Sequence, residues 1–197
     1  MKSILIRTTL AVNLWFVASP IFGATIIQDR FTWDATISFF DPIGQTFIAE
    51  EAALRSIAFS FGINNPASPN SPITMTLYLG SGFDGPIVDS VTRTVQVSGV
   101  GLPLFYDFDF SGNDLLVGTT YTAAVTTSSP RIGVLYNSVG DAYLNGQALE
   151  SDATGNLEGL TPDLRFRITS VPEPSTIAIL ILGGLLFFLR PWSRRQS

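Results

Sequence analysis

The 197-residue chain contains no cysteine and no histidine. Each absence closes a chemical route. Without cysteine no disulfide can brace the fold, whatever compartment the protein occupies. Without either residue the Ser-His and Cys-His nucleophile systems are excluded, and so are histidine-based zinc sites. Lysine occurs only as Lys2. Between residues 25 and 170, fifteen acidic side chains face six arginines (30, 55, 93, 131, 165 and 167), a balance of about −9. Such a stretch has no electrostatic attraction to nucleic acid or to an anionic membrane surface, so no nucleic-acid partner is expected. Helical periodicity is missing from the same stretch: residues 50–55 would form one turn at most.

What is present is alternation. Ile57, Phe59 and Phe61 fall on one face of 53–61, with Ala58 and Ser60 on the other. The pattern returns in Ile73, Met75, Leu77 and Leu79, and in Tyr121, Ala123 and Val125. It returns again in Ile132, Val134 and Tyr136, and in Leu164, Phe166 and Ile168 against Arg165 and Arg167. In 104–110 it places Leu104, Tyr106, Phe108 and Phe110 inward, with Phe105, Asp107 and Asp109 outward. Val91, Val95 and Val97 share a face that also carries Arg93. Shorter candidate strands lie at 26–31, 37–40, 45–49 and 142–149. Gly- and Pro-rich breakers separate them at 64–72, 80–86, 98–103 and 111–114. Period-two patterning repeated this often predicts half-buried antiparallel strands, about nine or ten of them. The expected fold is all-β: an antiparallel β-sandwich, jelly-roll-like by its strand number. One domain spans 25–170, long enough to bury a core of its own.

The two ends differ from this body. Residues 1–24 carry Lys2 and Arg7, then an apolar run over 10–22, then Gly23 and Ala24, the pattern of a secretory signal peptide cleaved near residues 23–24. An uncleaved N-terminal anchor is the alternative. At the other end, Val171-Pro172-Glu173-Pro174 precedes an uncharged run over 177–189 and a tail with Arg190, Arg194 and Arg195. The run is apolar all round, which disfavours an amphipathic core helix. Thirteen helical residues reach about 20 Å, short of a hydrocarbon core of about 30 Å. Extending the helix over 175–192 brings it to about 27 Å, with Trp192 at the interface and the arginines held inside. The tail therefore stays in the cytoplasm and the body lies outside.

This order resembles the PEP-CTERM sorting signal of bacteria that secrete extracellular polysaccharide. Its matching residues are Pro172, Glu173 and Pro174, then Arg190, Arg194 and Arg195. The resemblance implies that residues 171–197 form a sorting segment recognised by a membrane enzyme of the exosortase type. It also implies a protein held in the inner membrane by its C-terminal helix and then passed to the cell surface or beyond. A weaker likeness runs through Pro42-Ile43-Gly44-Gln45-Thr46-Phe47, Leu54-Arg55-Ser56-Ile57, Leu77-Tyr78 and Gly118-Thr119-Thr120-Tyr121. These pieces resemble exported β-sandwich modules found ahead of interchangeable surface anchors, which bears on fold more than on activity.

Three groups of residues could carry chemistry. Asp107, Asp109 and Asp114 form the densest oxygen cluster and suit Ca²⁺; turn chemistry around Asn113-Asp114 is the competing account. Position 12 of that loop is Gly118, where a helix-loop-helix calcium site needs glutamate. Trp33, Tyr136 and Tyr143, with Asn137, Asp141 and Asn145 near them in sequence, could hold a sugar; core packing and loop chemistry compete here. Glu50, Glu51, Glu150, Asp152 and Glu158 are the carboxylates available for glycoside hydrolysis, though nothing pairs them. The expectation is an exported, membrane-sorted surface or matrix protein, non-catalytic, with extracellular polysaccharide as a partner. A carbohydrate-binding module is the alternative and a glycosidase the less favoured one.

Overall fold

Strands form where the alternation is cleanest. The computed structural model describes residue 23 and residues 25–63, 70–97, 104–151, 157 and 161–171. The chain runs through β1 (Thr25–Gln28), β2 (Trp33–Thr36), β3 (Ile43–Ile48), β4 (Leu54–Ile63), β5 (Asn70–Leu79) and β6 (Ile87–Gln96). It continues through β7 (Phe105–Asp109), β8 (Thr120–Thr126), β9 (Ile132–Asn137), β10 (Ala148–Glu150), β11 (Asp163–Leu164) and β12 (Phe166–Ser170). One sheet has the order β1-β12-β4-β9-β11, with β7 also on β4 and β2 also on β9; the other has the order β10-β3-β8-β5-β6. Every pairing is antiparallel. The fold is all-β and sandwich-like.

The inward faces explain why the two sheets pack. Ile57, Phe59 and Phe61 on β4, Phe108 on β7 and Phe166 on β12 meet Ile43 and Phe47 of β3 and Ile73, Met75 and Leu77 of β5. Phe47, Phe59, Phe61, Phe108, Phe110 and Phe166 are all fully buried, so aromatic volume dominates the core. Outward, Thr74 and Thr76 of β5 bond the hydroxyls of Thr92 (2.8 Å) and Ser90 (3.1 Å) on β6, a cross-strand polar ladder.

Several expectations are corrected. Residues 37–40 are not a strand: Ile37–Phe39 is a 3-10 turn, the only helical piece among the described residues, with Ile37 sunk in the core. Residues 142–147 are loop, and only β10 at their end is extended. The strands number twelve among the described residues, because β2 and β11 are too short to show alternation. Leu104 is 62% exposed, since it precedes β7 and escapes that strand's alternation. Arg93 is exposed at the sandwich edge, where Nη1 donates to the Asp107 carbonyl of β7. Alternation puts Ala58 and Ser60 on the outer face of β4, yet both are buried, as are Thr122 and Ala124 of β8. On β8 the 80–86 loop folds over: Gly82 N–H donates to Thr122 Oγ1 and Thr122 donates to the Gly80 carbonyl. Gly44 makes room for it, because a β-carbon there would lie 3.0 Å from Phe83 and 2.7 Å from the Ala123 carbonyl.

No helix among the described residues is long and apolar enough to cross a membrane. The expected signal peptide (apart from residue 23), the expected membrane helix over 175–192 and the expected sorting residues Pro172, Glu173, Pro174, Arg190, Arg194 and Arg195 lie outside the described residues.

Phe108 packs edge-on to Phe61 at 6.3 Å between ring centroids. Phe108→Ala is expected to cost about 3–5 kcal/mol in urea unfolding followed by far-ultraviolet circular dichroism. A cost under about 1 kcal/mol would contradict burial of that ring between the sheets.

Candidate functional site

Asp107, Asp109 and Asp114 do not gather around a cation position. Asp107 lies outward on β7 and is already engaged: Arg167 Nη2 reaches both of its oxygens, at 2.8 and 3.0 Å, and Ser56 Oγ donates to Oδ1 at 3.1 Å. Asp109 accepts the Ser111 N–H at 2.9 Å. The Ser111 hydroxyl and N–H, with Arg55 beside them, hold its carboxyl below the usual carboxylate range. Asp114 forms an isolated backbone bridge with Ala53. Among the described residues no group of three His, Cys, Asp or Glu is close enough to hold a metal ion. The Ca²⁺ expectation is corrected accordingly. The first two aspartates line a cleft of about 510 Å³ with Arg55 and Arg167 and serve the outer face of the first sheet.

That face is covered by arginine and aromatic side chains. Arg165 and Arg167 lie 4.3 and 5.0 Å from the centroid of the Phe105 ring, and Arg165 also approaches Phe31 at 5.6 Å. Arg165 Nη1 donates to Ser60 Oγ and Nε to the Asp29 carbonyl, at 2.9 Å for the latter. Burial lowers the pKa of Arg165.

The trio expected to hold a sugar, Trp33, Tyr136 and Tyr143, is divided. β2 pairs with β9 so that Trp33 faces Tyr136 and Thr36 faces Gly133. No strand pairs with the other edge of β2 among the described residues. Beside that edge is a cleft of about 570 Å³, lined by Trp33, Asp34, Thr36, Ser38, Phe39 and Tyr136 among others. Trp33 is 58% exposed and Phe39 55%, while Tyr136 is buried. Phe39 is steadied by Phe40, edge-to-face at 5.0 Å. Asp34 rests over Gly62 and Gly133, which face each other in register; a β-carbon on Gly133 would meet Asp34 Oδ2 at 3.2 Å. Tyr143 is elsewhere: its ring packs edge-on to Phe166 at 5.2 Å, and its hydroxyl accepts the Ile48 N–H at 3.4 Å. Burial raises its phenol pKa. Asn137 spends its amide on the carbonyls of Val139 and Gly140.

Tyr143 is held in place by a pair that the alternation did not single out. Gln45 and Asp163 are fully buried between the sheets. Gln45 Nε2 donates to Asp163 Oδ1 at 3.0 Å, and the Leu164 N–H donates to Gln45 Oε1 at 2.8 Å. The N–H groups of Ala142 and Tyr143 both donate to Asp163 Oδ2 at 2.9 Å. Gln28 adds a bond to the Leu164 carbonyl at 3.0 Å. Burial is the largest influence on Asp163 and raises its pKa despite these donors.

Of the hydrolytic candidates, Glu150 Oε2 accepts the Leu157 N–H at 3.1 Å, and burial raises its pKa. Glu50 and Glu51 lie in the turn between β3 and β4, while Asp152 and Glu158 lie outside the described residues. The cleft residues missed by pattern, Asp34, Thr36, Ser38 and Phe39, carried one signal: two aromatics bracketing a short run that alternates polar and apolar residues. Comparison with family models and with curated proteins gave no match.

The sign of the Asp163 effect follows from its raised pKa. The folded state binds the proton more tightly than the unfolded chain does. The resulting stability is full below the ordinary value of 3.8 and is lost as pH rises through the folded value. Asp163→Asn sets an amide against Gln45 Nε2 and is expected to cost about 1–3 kcal/mol. The gap between wild type and variant should narrow between about pH 3.5 and about pH 7. Urea titrations at both values check this; a gap that widens with pH would reverse the assignment.

Proposed function

We propose that this protein is an exported, non-catalytic surface or matrix protein of the PEP-CTERM kind. In this reading the signal peptide directs export, and the C-terminal segment then holds the body at the outer face of the inner membrane. An exosortase-type enzyme trims that segment and frees the body to the cell surface or the surrounding polysaccharide. The sandwich is of the jelly-roll kind, a subclass supported by the repeated crossing of the chain between sheets from β3 to β4 to β5 and from β6 to β11.

One observation carries the reading. Thr25 of β1 lies directly opposite Thr169 of β12, so the segments before and after the body leave from the same end. The Val171 N–H donates to the Ala53 carbonyl at 2.8 Å, which pins the last described residue to that end. From Val171 to a helix beginning near 175, an extended chain spans only about 13 Å. The body is then held close over the bilayer, with Pro172-Glu173-Pro174 in the gap. Proline lacks a backbone donor and disfavours helix, which suits a site that a processing enzyme reads. The alternation-built body, free of the nucleophile systems that need Cys or His, supports a binding or structural role.

The mature protein from its native host is expected to lack residues 177–197, as read by mass spectrometry of the exported form. Replacing Pro172, Glu173 and Pro174 with alanine should leave export intact and trap the protein in the membrane. Peptides from 190–197 still joined to the released body would refute the trimming step.

A further inference from the structure

We propose that the open edge of β6 pairs with β6 of a second copy of this chain, joining two sandwiches through one continuous sheet. An unpaired strand edge presents a row of N–H and C=O groups that a further strand can complete. Proteins therefore keep such edges short, or break them with lysine or proline. Most edge strands here follow that rule: β1 has four residues, β2 four, β7 five, β10 three and β11 two. Strand β6 has ten, without lysine or proline, and is mostly valine, threonine and serine. Among the described residues no strand pairs with its outer edge.

Register shows which backbone groups are open. The Leu79 N–H donates to the Pro86 carbonyl, so alternate residues of β5 turn toward β6. Ser71, Ile73 and Met75 belong to that set and oppose Val95, Arg93 and Val91. Ser90, Thr92 and Thr94 therefore turn their backbone groups to the open side. Both ends of the edge are guarded. A register shift opposite Leu77 and Tyr78 marks a bulge at one end, where the Asp89 carboxylate also takes the Ser90 N–H at 2.7 Å. At the other end the Tyr106 hydroxyl donates to the Gln96 carbonyl. The window between the guards is short, spanning 90–94, so only a partner of matching register fits it.

Charge selects a second copy as that partner. A two-fold axis through Val91 sets Asp89 of each copy opposite Arg93 of the other, and Ser90 opposite Thr92. Both charged side chains already lean to one side, toward β7. Asp89 Oδ2 accepts from Asn113 Nδ2 at 2.7 Å just past that strand, and Arg93 Nη1 donates to the Asp107 carbonyl on it. Neither has an ion-pair partner among the described residues. Unlike charges directly opposite each other stabilise an antiparallel pair. An axis at Arg93 would set that arginine against itself, and an axis at Thr92 would set Asp89 against Val95. On pairing, Asp89 leaves the Ser90 N–H for the arginine of the second copy. The freed N–H then donates to the Thr92 carbonyl of that copy. The same patch is used on both sides, so assembly closes at a dimer and does not grow into a fibre.

The absence of native cysteine makes single introduced thiols clean probes. The test uses the full-length chain in a zwitterionic detergent, with sedimentation velocity and oxidative cross-linking as readouts. The wild type should sediment as a dimer at about 100 μM. Val91→Cys should cross-link to its own copy, because residues on the axis lie about 4.5 Å apart between Cα atoms. Thr92→Cys should not, because its two copies lie on a diagonal about 7–8 Å apart. Asp89→Arg and Arg93→Asp should each weaken dimerisation about tenfold or more, and the double exchange should restore it to within about threefold. Far-ultraviolet circular dichroism of each variant separates a lost dimer from a lost fold. A monomeric wild type at that concentration, or cross-linking of the Thr92 variant but not the Val91 variant, would overturn the proposal. So would a dimer indifferent to both charge reversals, the result expected if the apolar run over 177–189 held the copies together instead.

Discussion

Two polar side chains in the middle of an apolar core tie this sandwich together. Gln45 projects from β3 of the second sheet and Asp163 from β11 of the first, and they meet between the sheets. A buried carboxylate without partners would cost several kcal/mol in desolvation, so it must be answered by donors. Here the donors are neutral N–H groups from Gln45, Ala142 and Tyr143. Hydrophobic contact holds the sheets near each other without fixing their register. This bridge does fix it, because each bond is directional and none has slack. It also determines where the 138–147 loop lies: Gly146 passes so close to Thr46 that a β-carbon would fall 2.0 Å from the Thr46 carbonyl.

The outer face of the first sheet solves a different problem. Strand β4 is flanked on both sides and buries Ala58 and Ser60 on the face turned away from the core. No third layer of secondary structure covers it among the described residues. The cover is made of side chains: guanidinium groups of Arg165 and Arg167 over Phe105, with Asp107 neutralising Arg167. The stems of these arginines exclude water from the sheet, while Arg165 Nη1 and Nε and Arg167 Nη2 remain hydrogen-bonded. Two further bonds close the seam between the sheets, from Arg93 to the Asp107 carbonyl and from the Tyr106 hydroxyl to the Gln96 carbonyl at 2.8 Å. Four of the six arginines of the body (55, 93, 165 and 167) thus serve one face and its edge, although that body is acidic overall.

Much of this architecture was legible because alternation over five or more residues has one physical cause, a sheet with one wet face. β4, β5, β8, β9 and β12 show it, and the inward residues named from it are buried, apart from half-buried Leu79 at the end of β5. Short elements were not legible. β2 and β11 have four and two residues, fewer than a period-two pattern needs. The turn at Ile37–Phe39 reads as strand because isoleucine and phenylalanine favour strands wherever they occur. Site residues followed the same division. Trp33 and Tyr136 were legible as exposed or aromatic candidates, and register brings them face to face. Tyr143 misled because an aromatic in a polar loop looks available, whereas Asp163 draws its backbone inward. Asp107 misled because Arg167, sixty residues away in sequence, is its partner. Nothing local to either residue records that contact.

The common exit of the two chain ends has a mechanical consequence. β12 is hydrogen-bonded along both of its edges, to β1 and to β4, and leads straight out through Val171. A pull on Val171 runs along the axis of β12, opposed by resistance in the body beyond it. The bonds to both neighbours then bear the force side by side, in shear, so they must yield together rather than open one after another like a zip. A pull applied across the sheet would open them in sequence at far lower force. The geometry that brings both ends to one pole therefore makes that pole the stiffest direction along which the body can be tugged.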